Sequence, residues 1–324
     1  MDLRQLRYFK VLAAHQHFGR AAAVLHIAQP ALSRQIRLLE SELGVRLVER
    51  HSRGASLTPE GELLLDRAYF LLRYVDQIKV DIIDLHGRPR GPVVLGLPPA
   101  LASVLVLPLM RVLRERYPEI QLRVVENFTP ALGDALEQGT VDVAVLSGPI
   151  VASPLTHTEY LLTERICAIG LASDARLEGD SLPIATLRHV PLILTGVQNS
   201  GIRLALERAI AKANVELDTV IEVESVTVAV QLVRAGIGWT IHFPAPVQSE
   251  IESELLRAVP IDGITLERYL ARSVVRPRSA ATAAMTALVL ETARSLILGG
   301  QWLMAEARSP EPAHDLDPAL RRQP

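Results

Sequence analysis

Cysteine is almost missing from this chain, aromatic residues are scarce, and no long uncharged apolar run occurs. The single cysteine, Cys167, excludes an intramolecular disulfide and a cysteine-rich zinc site. Its place in the apolar run 165–171 marks it as a buried structural thiol rather than a redox sensor. With aromatics at 4%, there is little material for stacking platforms of the kind that grip single-stranded nucleic acid. The opening MDLRQLRYFK lacks the apolar stretch of a signal peptide, and no run of about 18 uncharged apolar residues marks a membrane helix, so a cytoplasmic protein is expected. Nucleophile elbow, P-loop and closely spaced metal ligands are also missing. No catalytic residue, cofactor or metal is therefore expected.

What is present is unevenly distributed. The formal charge of −2 hides an N-terminal segment, residues 1–58, with nine Lys/Arg against four Asp/Glu, and a remainder with 25 against 32. A polyanion would bind the first segment. The 324 residues are enough for two or three separate cores, and 49% hydrophobic with 22% charged residues is an ordinary globular balance.

Asp2 can cap a first helix bearing Leu3, Leu6, Phe9 and Ala13 at helical spacing. Residues 18–25 form a short second helix whose three consecutive alanines, Ala21, Ala22 and Ala23, allow close packing. Pro30 then suits the first turn of a third helix. On that helix Leu32, Ile36, Leu39 and Leu43 line one side, while Pro30, Ser33, Arg34, Arg37 and Ser41 gather on the other. Small, hydroxylic and cationic side chains are what a helix needs to enter a major groove. A merely solvated face is the alternative. Residues 45–50 alternate as a strand, 51–54 read as a turn, and 56–58 return beside the strand, which makes a wing. Arg50 and Arg53 sit where a wing would meet phosphates or a minor groove.

Thr58-Pro59-Glu60 starts a long helix, expected over 59–87. Leu64, Ala68, Leu71, Val75, Ile78, Ile82 and Leu85 keep a strict 4-3 spacing along it, the seam of a dimerisation helix. Packing of that seam on its own domain is the alternative. The HGRPRGP run ends the helix, and 88–92 form a hinge.

Beyond the hinge, strand-like runs alternate with helical patterns. They run 93–97, 104–116, 121–125, 131–138 and 141–146, then 165–171, 191–194, 202–213, 220–223, 226–235 and 238–241. A strand at 267–276 and a helix at 282–298 close the series. Such alternation indicates parallel strands joined by helices. Residues 300–324, rich in Pro, Ala and charge without periodicity, are expected to be a disordered tail.

The run from Leu3 to Gly61, notably AAAVLHIAQPALSRQIRLLESELGVRLVERHSRGASLTPEG, resembles the DNA-binding domain of LysR-type transcriptional regulators. GPVVLGLPPALASVLVLPLMRVLRERYP is similar to the nitrogen-assimilation-control branch. The resemblance implies an N-terminal winged helix-turn-helix at 1–58 and a linker helix. It also implies a C-terminal α/β domain of periplasmic-binding-protein-like, two-subdomain form at 93–299, with subdomain I near 93–162 and 268–299 and subdomain II near 163–267. A homodimer, often a dimer of dimers, is implied on double-stranded promoter DNA, retuned by an effector, with RNA polymerase as a further partner. Carried over, the DNA-contacting positions are Gln29, Pro30, Ser33, Arg34 and Arg37, with Arg53 in the wing. The chain departs from the family at His17-Phe18-Gly19, where Ser-Phe-Thr is common. It departs again at Val48, where Phe is usual, and at Pro98-Pro99-Ala100-Leu101, where a Ser or Thr commonly faces the effector.

Ligands of open α/β sheets bind at the carboxyl ends of strands, against helix N-termini. That rule nominates Ser103, Thr129, Ser147, Thr195, Asn199, Ser200 and His242, each of which could also be a cap or turn residue. As a cluster they suggest a cleft for a small organic acid. A solute-binding or enzymatic α/β protein with a DNA-binding appendage, or a DNA-packaging protein, are the competing readings. The first would not need residues 1–58, and the second would not need the C-terminal half.

Overall fold

The computed structural model describes residues 1–51, 54–83, 89–150, 153–198, 200–275 and 279–307; for residues 70, 73, 76–77 and 79–83 it describes the backbone alone. Helix α1 (Leu3–His15) opens with a reciprocal cap: the Gln5 N–H donates to Asp2 Oδ1 at 2.7 Å and the Asp2 N–H to Gln5 Oε1 at 2.9 Å. Helices α2 (Phe18–Val24) and α3 (Gln29–Leu43) follow, then a hairpin of β1 (Val48–His51) and β2 (Gly54–Leu57). Phe9, Leu12, Phe18, Leu32, Ile36, Leu39 and Leu47 form their core, and Val48 is buried there too. Leu43 does not join it. The helix ends in left-handed Gly44, one turn beyond Leu39, and Leu43 is exposed at that end.

Helix α4 (Pro59–Ile83) is held at its start by Thr58, whose hydroxyl donates to the Arg46 carbonyl at 2.7 Å and accepts from the Gly61 N–H at 3.0 Å. Any side chain on Gly61 would collide with the Leu47 carbonyl, so the hairpin and α4 meet closely there. The heptad row is divided. Ala68 is fully buried, with Leu72, against Leu6 of α1, and Leu64 and Leu71 lean on the same cluster. The first turns of the expected seam are thus occupied within the chain, which corrects its reading as a dimer surface along its whole length. Val75 is half-buried and Ile78 is exposed. The Ile82 side chain and Leu85 lie outside the described residues.

The C-terminal domain runs β3 (Gly91–Leu97), α5 (Pro99–Arg116), β4 (Ile120–Glu126), α6 (Thr129–Glu137), β5 (Val143–Ser147), β6 (Thr156–Leu171), β7 (Pro191–Thr195), α7 (Gly201–Ala213), β8 (Asp218–Val223), α8 (Val226–Arg234), β9 (Trp239–His242), α9 (Gln248–Glu252), β10 (Leu256–Ser273), α10 (Ala280–Leu298) and β11 (Ala305–Glu306). One sheet orders the strands β4-β3-β5-β10-β6-β9-β7-β8, with β11 on β6. β4, β3 and β5 are mutually parallel, as are β8, β7 and β9. The antiparallel pair β6 and β10 joins the two groups. Both chain crossings therefore lie inside long strands, and each group carries helices, giving two subdomains.

Only parts of β6 and β10 were expected from the sequence. β6 opens with an unbroken polar run, 156–160, that shows no alternation, and Pro260 with Asp262-Gly263 reads as a turn inside β10, where the register shifts between Pro260 and Thr265. Helix α10 is apolar enough to cross a membrane by length and composition, but its Met285, Leu288 and Val289 are buried in the main core.

The expected tail is ordered further than its composition suggested. Trp302 is buried, and its Nε1–H donates to Glu164 Oε1 at 2.7 Å. The Arg165 N–H donates to the Met304 carbonyl at 3.0 Å, and Ala305 and Glu306 pair with Glu164 and Thr163 of β6. A single buried tryptophan, which leaves no periodicity to detect, brings the chain back to the sheet. Residues 308–324 lie outside the described residues.

Candidate nucleic-acid interface and cleft

The outer face of α3 exposes Gln29, Pro30, Arg34 and Arg37, with Ser33 half-buried at its edge. Leu32, Ile36 and Leu39 on the inner face are fully buried, so packing fixes which way the outer row points. The first turn has no side-chain cap, and Pro30 occupies it without adding an N–H. The Arg37 Nε–H folds back to the Ser33 carbonyl at 3.3 Å.

Arg50 is placed differently from its expected role in the wing. Its Nη2 donates to Ser33 Oγ at 3.0 Å, and its guanidinium lies 4.3 Å from the centre of the Phe18 ring. It ties β1 to α2 and α3 rather than reaching outward, because an aromatic face and a hydroxyl are both in range. Arg53 lies outside the described residues. At the start of α2, His17 takes the capping position: its Nδ1 accepts from the Gly19 N–H at 3.1 Å and the Arg20 N–H at 3.4 Å. A ring nitrogen thus does the capping that a hydroxyl usually does.

In the C-terminal domain, Thr129, Ser147, Thr195, Ser200 and His242 converge on one cavity of about 50 Å³, walled by Pro99, Ala100, Phe128 and Phe243. That exceeds the roughly 10–15 Å³ a cavity needs to admit a water. The Ser147 N–H donates to Thr129 Oγ1 at 2.8 Å, and Thr195 Oγ1 donates to the Ile241 carbonyl at 3.4 Å. His242 Nδ1 lies 2.9 Å from the Phe243 carbonyl. A carbonyl can only accept, so Nδ1 carries the proton and Nε2 is left as the acceptor. Burial pushes the imidazole down to about 4, with the Arg268 charge adding to the effect and the Phe243 bond opposing it. His242 is neutral at physiological pH.

Ser103 does not join them. It is exposed, and its hydroxyl donates to the Ala100 carbonyl of its own helix at 2.7 Å. Asn199 lies outside the described residues. Two charged residues that the strand-end rule missed complete the cavity wall and its support. Arg268, on β10, lines the cavity and donates from Nε to Glu164 Oε2 at 2.6 Å and from Nη1 to Ser147 Oγ, with its guanidinium 4.7 Å from the Phe243 ring. Glu164, on β6, has no exposed surface.

Residues 3–62 match the family model described as bacterial regulatory helix-turn-helix protein, lysR family, and residues 86–294 match the LysR substrate binding domain. The chain belongs to the LysR family of transcriptional regulators. It is 32% identical to the nitrogen assimilation regulatory protein nac of Klebsiella aerogenes over 248 residues, 74% of this chain and 78% of that protein. It is 31% identical to the HTH-type transcriptional regulator BbuR of Bordetella bronchiseptica over 308 residues, 93% of each. Full-length CbnR complexed with its target DNA superposes with a TM-score of 0.66 over 91% of this chain and 99% of that one; at 23% identity this likeness concerns the fold alone.

Like its relatives, this LysR-family chain is a regulator rather than an enzyme. Its buried ion pair could have been found from the sequence. Strand side chains alternate, so Glu164 shares a face with Leu162 and Ile166, and Arg268 with Leu266 and Leu270. All four apolar neighbours are buried. A charge at an inward position of each of two strands is the signal of a buried pair. Cys167 is also buried, and burial pushes its thiol up to about 12, as a structural cysteine requires.

Proposed function

We propose that this LysR-type regulator binds promoter DNA as a homodimer or a dimer of dimers. It reads bases with the outer face of α3 and is retuned by a small organic acid held between the two subdomains. The supporting observation is the fixed exposure of Gln29, Pro30, Arg34 and Arg37 above a buried row. Arg34 and Arg37 are the base-reading or phosphate-holding cations, Ser33 and Arg50 hold the helix and wing in register, and Arg53 meets the backbone. The protein acts in the cytoplasm, with RNA polymerase as its partner at the promoter. The effector contacts are Thr129, Ser147, Thr195, Ser200 and His242, with Asn199, next to Ser200 in the sequence, as a further one.

Gel-shift titration against the gene's own upstream DNA is the test. Binding should weaken steeply with salt, as phosphate contacts require. Arg34→Ala should cost about 1–3 kcal/mol, roughly 5-fold to 150-fold in affinity, with the mass by light scattering unchanged. Salt-independent binding, or loss of the oligomer in that variant, rejects the assignment of the reading face.

Ile78 is the exposed member of the described seam, so Ile78→Glu is the sharper test of dimerisation than any change at Leu71. The expected outcome is a smaller particle by light scattering with an unchanged N-terminal core. A mass equal to that of the parent protein would remove α4 from the interface.

A further inference from the structure

The buried pair beside the cavity is satisfied on one side only. Both Glu164 oxygens are taken, Oε2 by Arg268 and Oε1 by Trp302. Arg268 spends Nε on Glu164 and Nη1 on Ser147, but Nη2 has no partner among the described residues, although Arg268 is 2% exposed. Ser200, 6% exposed and lining the same cavity, also has a hydroxyl without a partner among the described residues. Two buried donors lacking acceptors line the same small cavity. Ser147 Oγ accepts from Arg268, and Thr129 Oγ1 accepts from the Ser147 N–H, so their own hydroxyl hydrogens remain to be given. The cavity therefore offers donors in excess, one of them cationic, in a small space. Unsatisfied buried donors of this kind mark the place of an acceptor the site is built to receive.

The cavity borders a wider groove of about 720 Å³ whose character is opposite. Glu126, Glu224 and Glu250 line it, and no Lys or Arg among the described residues does. Glu224, Phe128 and Val226 line both, so inner cavity and outer groove are immediate neighbours. A dicarboxylate entering here would leave its second anion among three carboxylates. An amine alone would leave the inner donors unanswered.

Resting on the reading of this cleft as the effector site, we propose that its ligand is a zwitterionic amino-carboxylate. The carboxylate lies inward on Arg268 Nη2 and the Ser200 hydroxyl, and the ammonium lies outward toward Glu224 and its neighbours. Arg268 is the anchor of the anion and Glu224 the residue that selects for the cation.

The test is thermal unfolding of the full-length protein with L-alanine, L-leucine and 4-aminobutyrate, set against propionate, succinate and butylamine. At least one amino-carboxylate should raise Tm by a few degrees, as a ligand of the native state must, while succinate and butylamine leave it flat. Ser200→Ala and Arg268→Lys should each weaken that ligand about tenfold or more, the loss expected for a hydrogen bond to a charged group. Glu224→Gln should narrow the preference for the amino-carboxylate over propionate by about tenfold. If Arg268→Lys fails to fold, the other two variants carry the test. No response to any of the three amino-carboxylates, an equal response to succinate or butylamine, or an unchanged preference in Glu224→Gln overturns the proposal. The other compounds separate the two readings: a rise in Tm with propionate or succinate but with no amino-carboxylate keeps the cleft as an effector site and rejects the zwitterion, whereas no rise with any of the six counts against both.

Discussion

Glu164→Leu should lower the unfolding free energy by about 3–5 kcal/mol, the usual cost of leaving a buried charge without its partner. The carboxylate lies on β6 with no exposed surface, and it holds two groups that nothing else neutralises. Removing it strands the Arg268 guanidinium between Phe243 and the sheet and leaves the Trp302 N–H without an acceptor. The double variant Glu164→Leu/Arg268→Met should recover most of the loss, because an apolar pair of similar volume needs no solvation. About 1–3 kcal/mol should remain for the orphaned indole N–H. Denaturant midpoints of the three proteins decide the matter. A single variant within 1 kcal/mol of the parent, or a double variant no better than the single, would mean that the pair contributes nothing specific.

A second large effect is expected on acidification. His242 titrates at about 4 in the folded protein, against an ordinary 6.5 in the unfolded chain. Between these values the unfolded chain binds the extra proton, so stability falls as pH drops from about 6.5 towards about 4 and is fully retained above that window. A displacement of this size corresponds to about 3 kcal/mol across the window. The cause is burial in the cavity wall, with the Arg268 charge acting in the same direction. His242→Gln should flatten the pH dependence of the denaturant midpoint between pH 6.5 and 4.5 by close to one proton. If the variant keeps the parent's slope, the imidazole is not the titrating group.

How much of this could be read beforehand differs from element to element. The two-faced character of α3 was legible because local spacing decides it: Leu32, Ile36 and Leu39 are buried together. Leu43 fits the same spacing and is exposed, since periodicity does not report where the neighbouring core ends. The row along α4 shows the same limit. Spacing gives the apolar face of a helix but not its partner, and α1 takes Ala68 and Leu72. Arg50 looked like an outward cation because the sequence cannot place Phe18 and Ser33 beside it.

In the cleft, the strand-end rule found Thr129, Ser147, Thr195, Ser200 and His242, which lie at ends of strands or starts of helices. It could not find Arg268 or Glu164, which sit inside the crossing strands. Ser103 failed for a local reason, as its hydroxyl turns back to its own helix.

The seating of Trp302 also bears on how the chain is made. Residues 1–58 carry their own core and can close while most of the polypeptide is still being synthesised, as N-terminal domains generally do. The C-terminal domain cannot do the same, because the acceptor of the Trp302 indole, Glu164, is translated 138 positions before it. The helix-turn-helix domain is thus complete on a nascent chain well before the C-terminal domain. A ribosome that stops short of Trp302 would release a finished N-terminal domain joined to an unfinished C-terminal one.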